Sequence, residues 1–160
     1  MKTTARTHFL TLACAIALNF AAYGADSGAA KPSTESPNQS PSIMKIRLTI
    51  DGKAITATLL DNATARDFLS LLPLTLTLED YAATEKISYL PRKLSTVGAP
   101  AGVDPEPGDI AYYAPWGNLA IFYKDAGHAK GLIKLGRLDS GIEALSVRGA
   151  LKATIESPRK

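Results

Sequence analysis

The sequence predicts a mainly β domain of about eight short strands with one or two short helices, closed as a barrel or layered as a sandwich. Three observations carry that reading. Short apolar or alternating runs recur between Gly- and Pro-rich turns along residues 43–156. Asp51-Gly52 lies between two alternating runs, the strongest short hairpin signal. Residues 108–123 hold the only Trp together with Tyr112, Tyr113, Phe122 and Tyr123, in two strand-like runs around one turn.

The chain has 160 residues, enough for one domain with a single core. Residues 1–25 read as a secretory signal peptide. Lys2 and Arg6 form a positive start, Phe9–Ala22 is mostly apolar, and small residues follow at Ala22, Gly24 and Ala25. The run is too short for a stable membrane span. Thr11-Leu12-Ala13-Cys14 is a weak form of a lipoprotein processing site. Because more apolar sequence follows Cys14, lipid anchoring is the lesser reading. Residues 26–42, rich in Ser, Pro, Ala, Asn and Gln, read as a disordered linker. The expected location is therefore periplasmic or secreted.

Removing residues 1–25 changes what the composition implies. They hold two of the 18 basic residues and none of the 15 acidic ones, which leaves 16 against 15. A chain so nearly neutral gives no case for a nucleic-acid partner. The cut also removes Cys14 and His8, leaving His128 as the sole His and no Cys. Disulfides, thiolate nucleophiles and multi-His metal sites are excluded from such a chain, and neither a metal nor a cofactor is expected.

The domain then runs over residues 43–156, with a tail at 157–160. Met44–Ile50 and Lys53–Leu60 alternate around Asp51-Gly52 as a hairpin. Asn62 is a helix N-cap, and Phe68, Leu69 and Leu72 form the inward side of a helix that Pro73 stops. Leu74–Leu78 alternates as a half-buried strand, and Glu85–Leu94 is a further short segment. Ser95–Gly108 reads as a long irregular loop of the kind that often carries function. Ile110–Tyr113 and Leu119–Tyr123 are strands around Pro115-Trp116-Gly117-Asn118. The second is apolar throughout, as a strand covered on both faces would be. Asp125–Gly131 reads as a turn and Leu132–Leu138 as a strand. Asp139–Ala144 is a turn or one helical turn, and Leu145–Ile155 is a last strand bulged at Gly149. The expected core includes Ile46, Leu48, Phe68, Leu76, Ile110, Ile121 and Leu135.

The strings Tyr89-Leu90-Pro91-Arg92-Lys93-Leu94, Ala114-Pro115-Trp116-Gly117-Asn118-Leu119-Ala120-Ile121-Phe122-Tyr123 and Leu132-Ile133-Lys134-Leu135-Gly136 resemble the bacterial cyclophilin-like domain family. The resemblance covers nearly all of residues 43–156 and implies a closed cyclophilin-like β-barrel. Cyclophilins isomerise X–Pro bonds with an Arg beside an apolar, aromatic pocket. They lower a torsional barrier of ~18–20 kcal/mol without nucleophile or metal. Arg92 follows a strand-like segment with Tyr89, much as the cyclophilin Arg follows its Phe-His pair. Here the His is absent, Pro91 precedes the Arg, and the Phe-Met-Gln string is missing. No catalytic role is carried over.

Five residues are candidates for ligand contact. Trp116 suits either stacking on a ligand or closing one end of a barrel. Tyr112 and Tyr113 point to opposite faces, so one is core and one exposed; Tyr113 is the ligand candidate. Tyr89 and Arg92 share a family string, although an Arg92-Lys93 pair is more often a solvated rim. His128 can act as acid or base only with a partner, and a lone loop His is usually just exposed. Asp104, Glu106 and Asp109 lack the spacing of a calcium loop, and Asp109 after Gly108 reads as a turn cap. No His–Asp–Ser spacing supports a hydrolase. The expected function is binding of a peptide segment or small ligand without strong catalysis. The alternative is a cell-envelope peptidyl-prolyl isomerase.

Overall fold

The computed structural model describes residues 43–158. The signal-peptide and linker readings lie outside them. Eight antiparallel strands close a barrel in the order β1 (Met44–Ile50), β10 (Leu151–Glu156), β3 (Leu74–Tyr81), β4 (Glu85–Tyr89), β7 (Asn118–Phe122), β6 (Asp109–Tyr113), β9 (Leu132–Leu138) and β2 (Lys53–Leu59). Of the two architectures left open by the strand pattern, the barrel is the one that forms. Closure removes the edges of this eight-stranded sheet, so each of its strands is paired on both sides.

The predicted hairpin forms β1 and β2, with Asp51 and Gly52 both at positive φ in its turn. In helix α1 (Ala63–Leu69), the Asn62 Oδ1 accepts from the Ala65 N–H at 2.8 Å. The Asn62 Nδ2 also donates to the Lys134 carbonyl at 3.0 Å, fixing the helix start to β9. Ala65 and Phe68 are fully buried in the core with Ile46, Leu48, Ile110, Ile121 and Leu135. Leu76 differs from expectation. It is half-buried and packs against the core, while Leu78 takes the fully buried position on β3.

Two boundaries and the place of one bulge are corrected. The segment after Glu85 leaves the sheet at Tyr89, because Pro91 cannot donate to a ladder. The last strand starts at Leu151 rather than Leu145. Residues Ile142–Leu145 form a 3-10 turn, and Gly149, at φ 93°, belongs to the loop before the strand. The irregularity expected there lies instead on β9. Ile110 pairs with Gly136 and Ala111 with Lys134, so Leu135 is the extra, bulged residue.

The loops read as irregular contain two short strands. β5 (Gly102–Val103) pairs with β8 (Ala129–Lys130) as a separate two-stranded strap. Two residues per strand are too few for periodicity to reveal.

Candidate functional site

Strand pairing decides what the aromatic hairpin presents. Ile110 pairs with Ile121 and Tyr112 with Leu119, and these four face the barrel interior. Their neighbours Ala111, Tyr113, Asn118, Ala120 and Phe122 therefore face outward. That outer face is not bare. Ala111, Ala120, Phe122 and Leu132 form a second buried cluster with Ile87 and Tyr113 from the sheet and Val103, Ala126 and Ala129 from the strap and its loop. The all-apolar pattern of Leu119–Phe122 has this cause: core on one face, strap on the other.

The cover leaves a cavity of about 210 Å³. Its aromatic walls are Tyr81, Tyr113, Trp116 and Phe122, and Glu85 and Asn118 supply acid and amide. Trp116 sits at the tip of the β6–β7 turn and is 45% exposed. The Tyr81 and Tyr113 rings each lie 5.4 Å from the Trp116 ring, at 89° and 81° to its plane. Tyr81 is aimed by a turn of unusual chemistry. Ala82 and Ala83 both take positive φ, at 49° and 55°, and the Thr84 N–H closes the turn on the Tyr81 carbonyl at 3.1 Å. Residues with a Cβ resist that conformation, so the tertiary structure holds it.

Two acceptor groups of the lining, on Asn118 and Glu85, are without donors. Asn118 is 2% exposed, its Nδ2 donates to the Leu119 carbonyl at 3.2 Å, and its Oδ1 has no partner. Burial pushes the Glu85 carboxyl up from 4.5 to about 7, with no cation or donor to offset it. Between those values the folded chain holds a proton that the unfolded chain has released. Stability therefore falls as pH rises from about 4.5 to about 7, and this group adds no further change above that. Glu85→Gln removes the loss. The carboxyl is only partly buried and solvent screens it, so the expected gain near pH ~8 is about 1–2 kcal/mol, shrinking towards zero near pH ~5. Urea melts at the two pH values measure this. Equal gains at both would mean that water reaches the carboxylate freely.

Of the five candidates, Tyr113 and Trp116 line the cavity. Arg92 and Tyr89 do not. Arg92 grips Asp67 of α1 through two bonds of 2.6 and 3.0 Å, and donates to the Ser70 Oγ at 2.9 Å. Asp67 also accepts the Ser95 N–H at 2.7 Å, and the Arg92 bonds with this one hold its carboxyl down to about 2. Two residues on, the Leu94 N–H donates to the buried Tyr112 hydroxyl at 3.1 Å. This string thus clamps the loop after β4 to the barrel. Tyr89 is exposed on β4. His128 stands between the lining residues Gly127 and Ala129, and its Nδ1 is 3.3 Å from Asp104. Asp109 caps its turn as expected. Its Oδ2 accepts the Glu106 N–H at 3.1 Å, and its Oδ1 pairs with Lys134 at 2.8 Å.

The sequence of residues 48–156 matches the profile of the cyclophilin-like family. The chain belongs to that family. No curated protein matches it. Among solved structures, the chain is similar to the solution structure of a hypothetical protein from Archaeoglobus fulgidus. The TM-score is 0.57 at 18% identity, over 76% of this chain and 99% of that one. At that identity the likeness concerns the fold. Within the cyclophilin-like barrel, sequence reasoning missed Tyr81, Glu85 and Asn118. A signal existed for Glu85. It shares a strand face with Ile87, and a carboxylate on an apolar face is out of pattern.

Proposed function

We propose that this cyclophilin-like domain is an exported binding module that holds a peptide segment or small ligand without strong catalysis. The observation that carries the reading is the cavity on the outer face of the β6–β7 hairpin, walled by Tyr81, Tyr113 and Trp116. Concave, aromatic-lined sites with a few convergent polar groups are where small ligands bind. The lining holds no Arg, and the Arg92 guanidinium is engaged by Asp67. An isomerase needs an Arg donor and a ring pocket on the same side, because positioning supplies much of the rate when no covalent bond forms.

A fragment screen followed by amide NMR tests the reading. Hits should shift the resonances of Tyr113–Asn118 and vanish in Trp116→Ala. In a tetrapeptide assay the protein should give little or no acceleration of X–Pro isomerisation. Robust turnover abolished by Arg92→Ala would promote the isomerase reading instead. Export rests on the Lys2/Arg6 start and the Phe9–Ala22 run. Fractionation of the host should recover a shortened protein outside the cytoplasm, and full-length cytoplasmic protein would sink it.

A further inference from the structure

The polar equipment of the cavity is one-sided. Its only charged side chain is Glu85, and no Lys, Arg or His lines it. The Asn118 Oδ1 is buried among the lining residues without a donor. A buried acceptor left unpaired is destabilising relative to one that is bonded. A carboxylate lowered into an apolar wall is destabilising in the same sense. The cost at Glu85 is relieved by one kind of guest, a positively charged group that carries N–H donors.

The ring arrangement favours the same guest. Tyr81 and Tyr113 stand nearly perpendicular to Trp116 on contacts of 5.4 Å, forming walls of a box rather than a stack. Aromatic rings draw a cation to their faces, more strongly when the site is dry. Size sets a limit. At about 210 Å³ the cavity is smaller than the ~300 Å³ at which sites for drug-sized molecules begin. It suits one head group on a short apolar arm and is too small for a nucleotide cofactor.

We infer that the cavity binds a primary alkylammonium group, its charge facing Glu85 and its alkyl arm lying among Tyr81, Tyr113 and Trp116. This rests on the reading of the cavity as the ligand site and names the chemistry it selects. A free amine and a lysyl side chain both carry that group, and the test separates them.

The full chain is titrated with n-butylammonium, Nα-acetyl-lysinamide, n-butanol and butyrate, read by ligand-observed NMR and by the fluorescence of the single Trp. Butylammonium should bind at least about tenfold more tightly than butanol, a difference of about 1.4 kcal/mol, and butyrate should bind more weakly still. Glu85→Gln should erase that preference. Its neutral amide keeps the shape of the site, so the loss reports charge. Lysinamide binding as tightly as butylammonium supports a peptide source, and weaker binding supports a free amine. If butanol or butyrate binds as well as butylammonium, or Glu85→Gln changes nothing, the cation inference is overturned while the ligand site stands. If no probe binds and the fragment screen also fails, both fall.

Discussion

Gly136→Ala is expected to lower the midpoint of thermal unfolding by roughly 10 °C. At Gly136, β9 meets β2 so closely that an added Cβ would press on the Thr58 carbonyl oxygen and lie 2.7 Å from the Leu59 Cα. Both obstacles are backbone, so neither can rotate away. Leu59 is the register partner of Gly136, and this pairing is the seam between the two strands. The Leu60 N–H donates to the Leu135 carbonyl at 2.8 Å beside it, where the bulge sits. Overpacking a tight site costs about 1–3 kcal/mol, and displacing backbone lies at the upper end. For a domain of this size each kcal/mol moves the midpoint by ~4 °C. Gly127→Ala is the internal control. An added Cβ there meets nothing within 4 Å, so its effect should stay within about 0.5 kcal/mol. Equal midpoints for the two variants would show that the seam yields.

The same glycine bears on what could be read from the sequence. It ends the string Leu132-Ile133-Lys134-Leu135-Gly136, and the resemblance to cyclophilin-like domains implied a barrel that strand counting alone left open. Local signals located the elements whose chemistry is local. Asp51-Gly52 carries the residues a tight hairpin requires, Asn62 precedes a helix as a cap does, and Leu119–Phe122 declares cover on both faces. Ala82-Ala83 carries no such signal. A two-residue turn at positive φ is ordinarily built from Asn and Gly, so nothing marked the hairpin that aims Tyr81. β5 and β8 were illegible for another reason. Strands of two residues have no period, and their pairing exists only once Gly102 lets the backbones approach.

The candidate site divides along the same line. Trp116 and Tyr113 stood out by composition; strand alternation put Tyr112 and Tyr113 on opposite faces, and the pairing of Tyr112 with Leu119 decided which is core. Arg92 stood out by its family string, yet its place is decided by Asp67, which lies 25 residues earlier on α1. That distance is beyond any local pattern. Glu85 and Asn118 acquire their character from the cavity they line, built by residues far apart in sequence, which is again a tertiary matter.

Lys86→Met is expected to destabilise the barrel by about 3 kcal/mol. Lys86 pairs with Ile121 across β4 and β7 and so points inward, where its side chain is wholly buried. The Nζ is held by three oxygens, each at 2.7 Å: Asp80 Oδ1 and the carbonyls of Val147 and Gly149. The other Asp80 oxygen accepts the Gly149 N–H at 2.7 Å, and its Oδ1 also accepts the Tyr123 hydroxyl at 3.1 Å. One ammonium thus fastens the loop before β10 to β3 and β4. Met fills similar space but takes the donor from the Val147 and Gly149 carbonyls and leaves the Asp80 Oδ1 with the Tyr123 hydroxyl alone. Removing one partner of a buried pair costs about 3–5 kcal/mol, and water reaching Asp80 keeps the figure at the low end. Adding Asp80→Asn should recover part of the loss, since an amide can still accept from Gly149 and no unpaired charge remains.

Acid supplies the second readout. The Lys86 bond, with that of Gly149, holds the Asp80 carboxyl below its ordinary 3.8. The stability this gives is fully present above that ordinary value and is lost as pH falls through the lowered one. Wild type should therefore lose stability on acidification in that window, and Lys86→Met should lose less of it, having already given up the bond that lowers Asp80. Urea midpoints of the two proteins measured from neutral pH down to about pH 3 should converge. Parallel curves would mean that Lys86 contributes by filling space, with its charge playing no part.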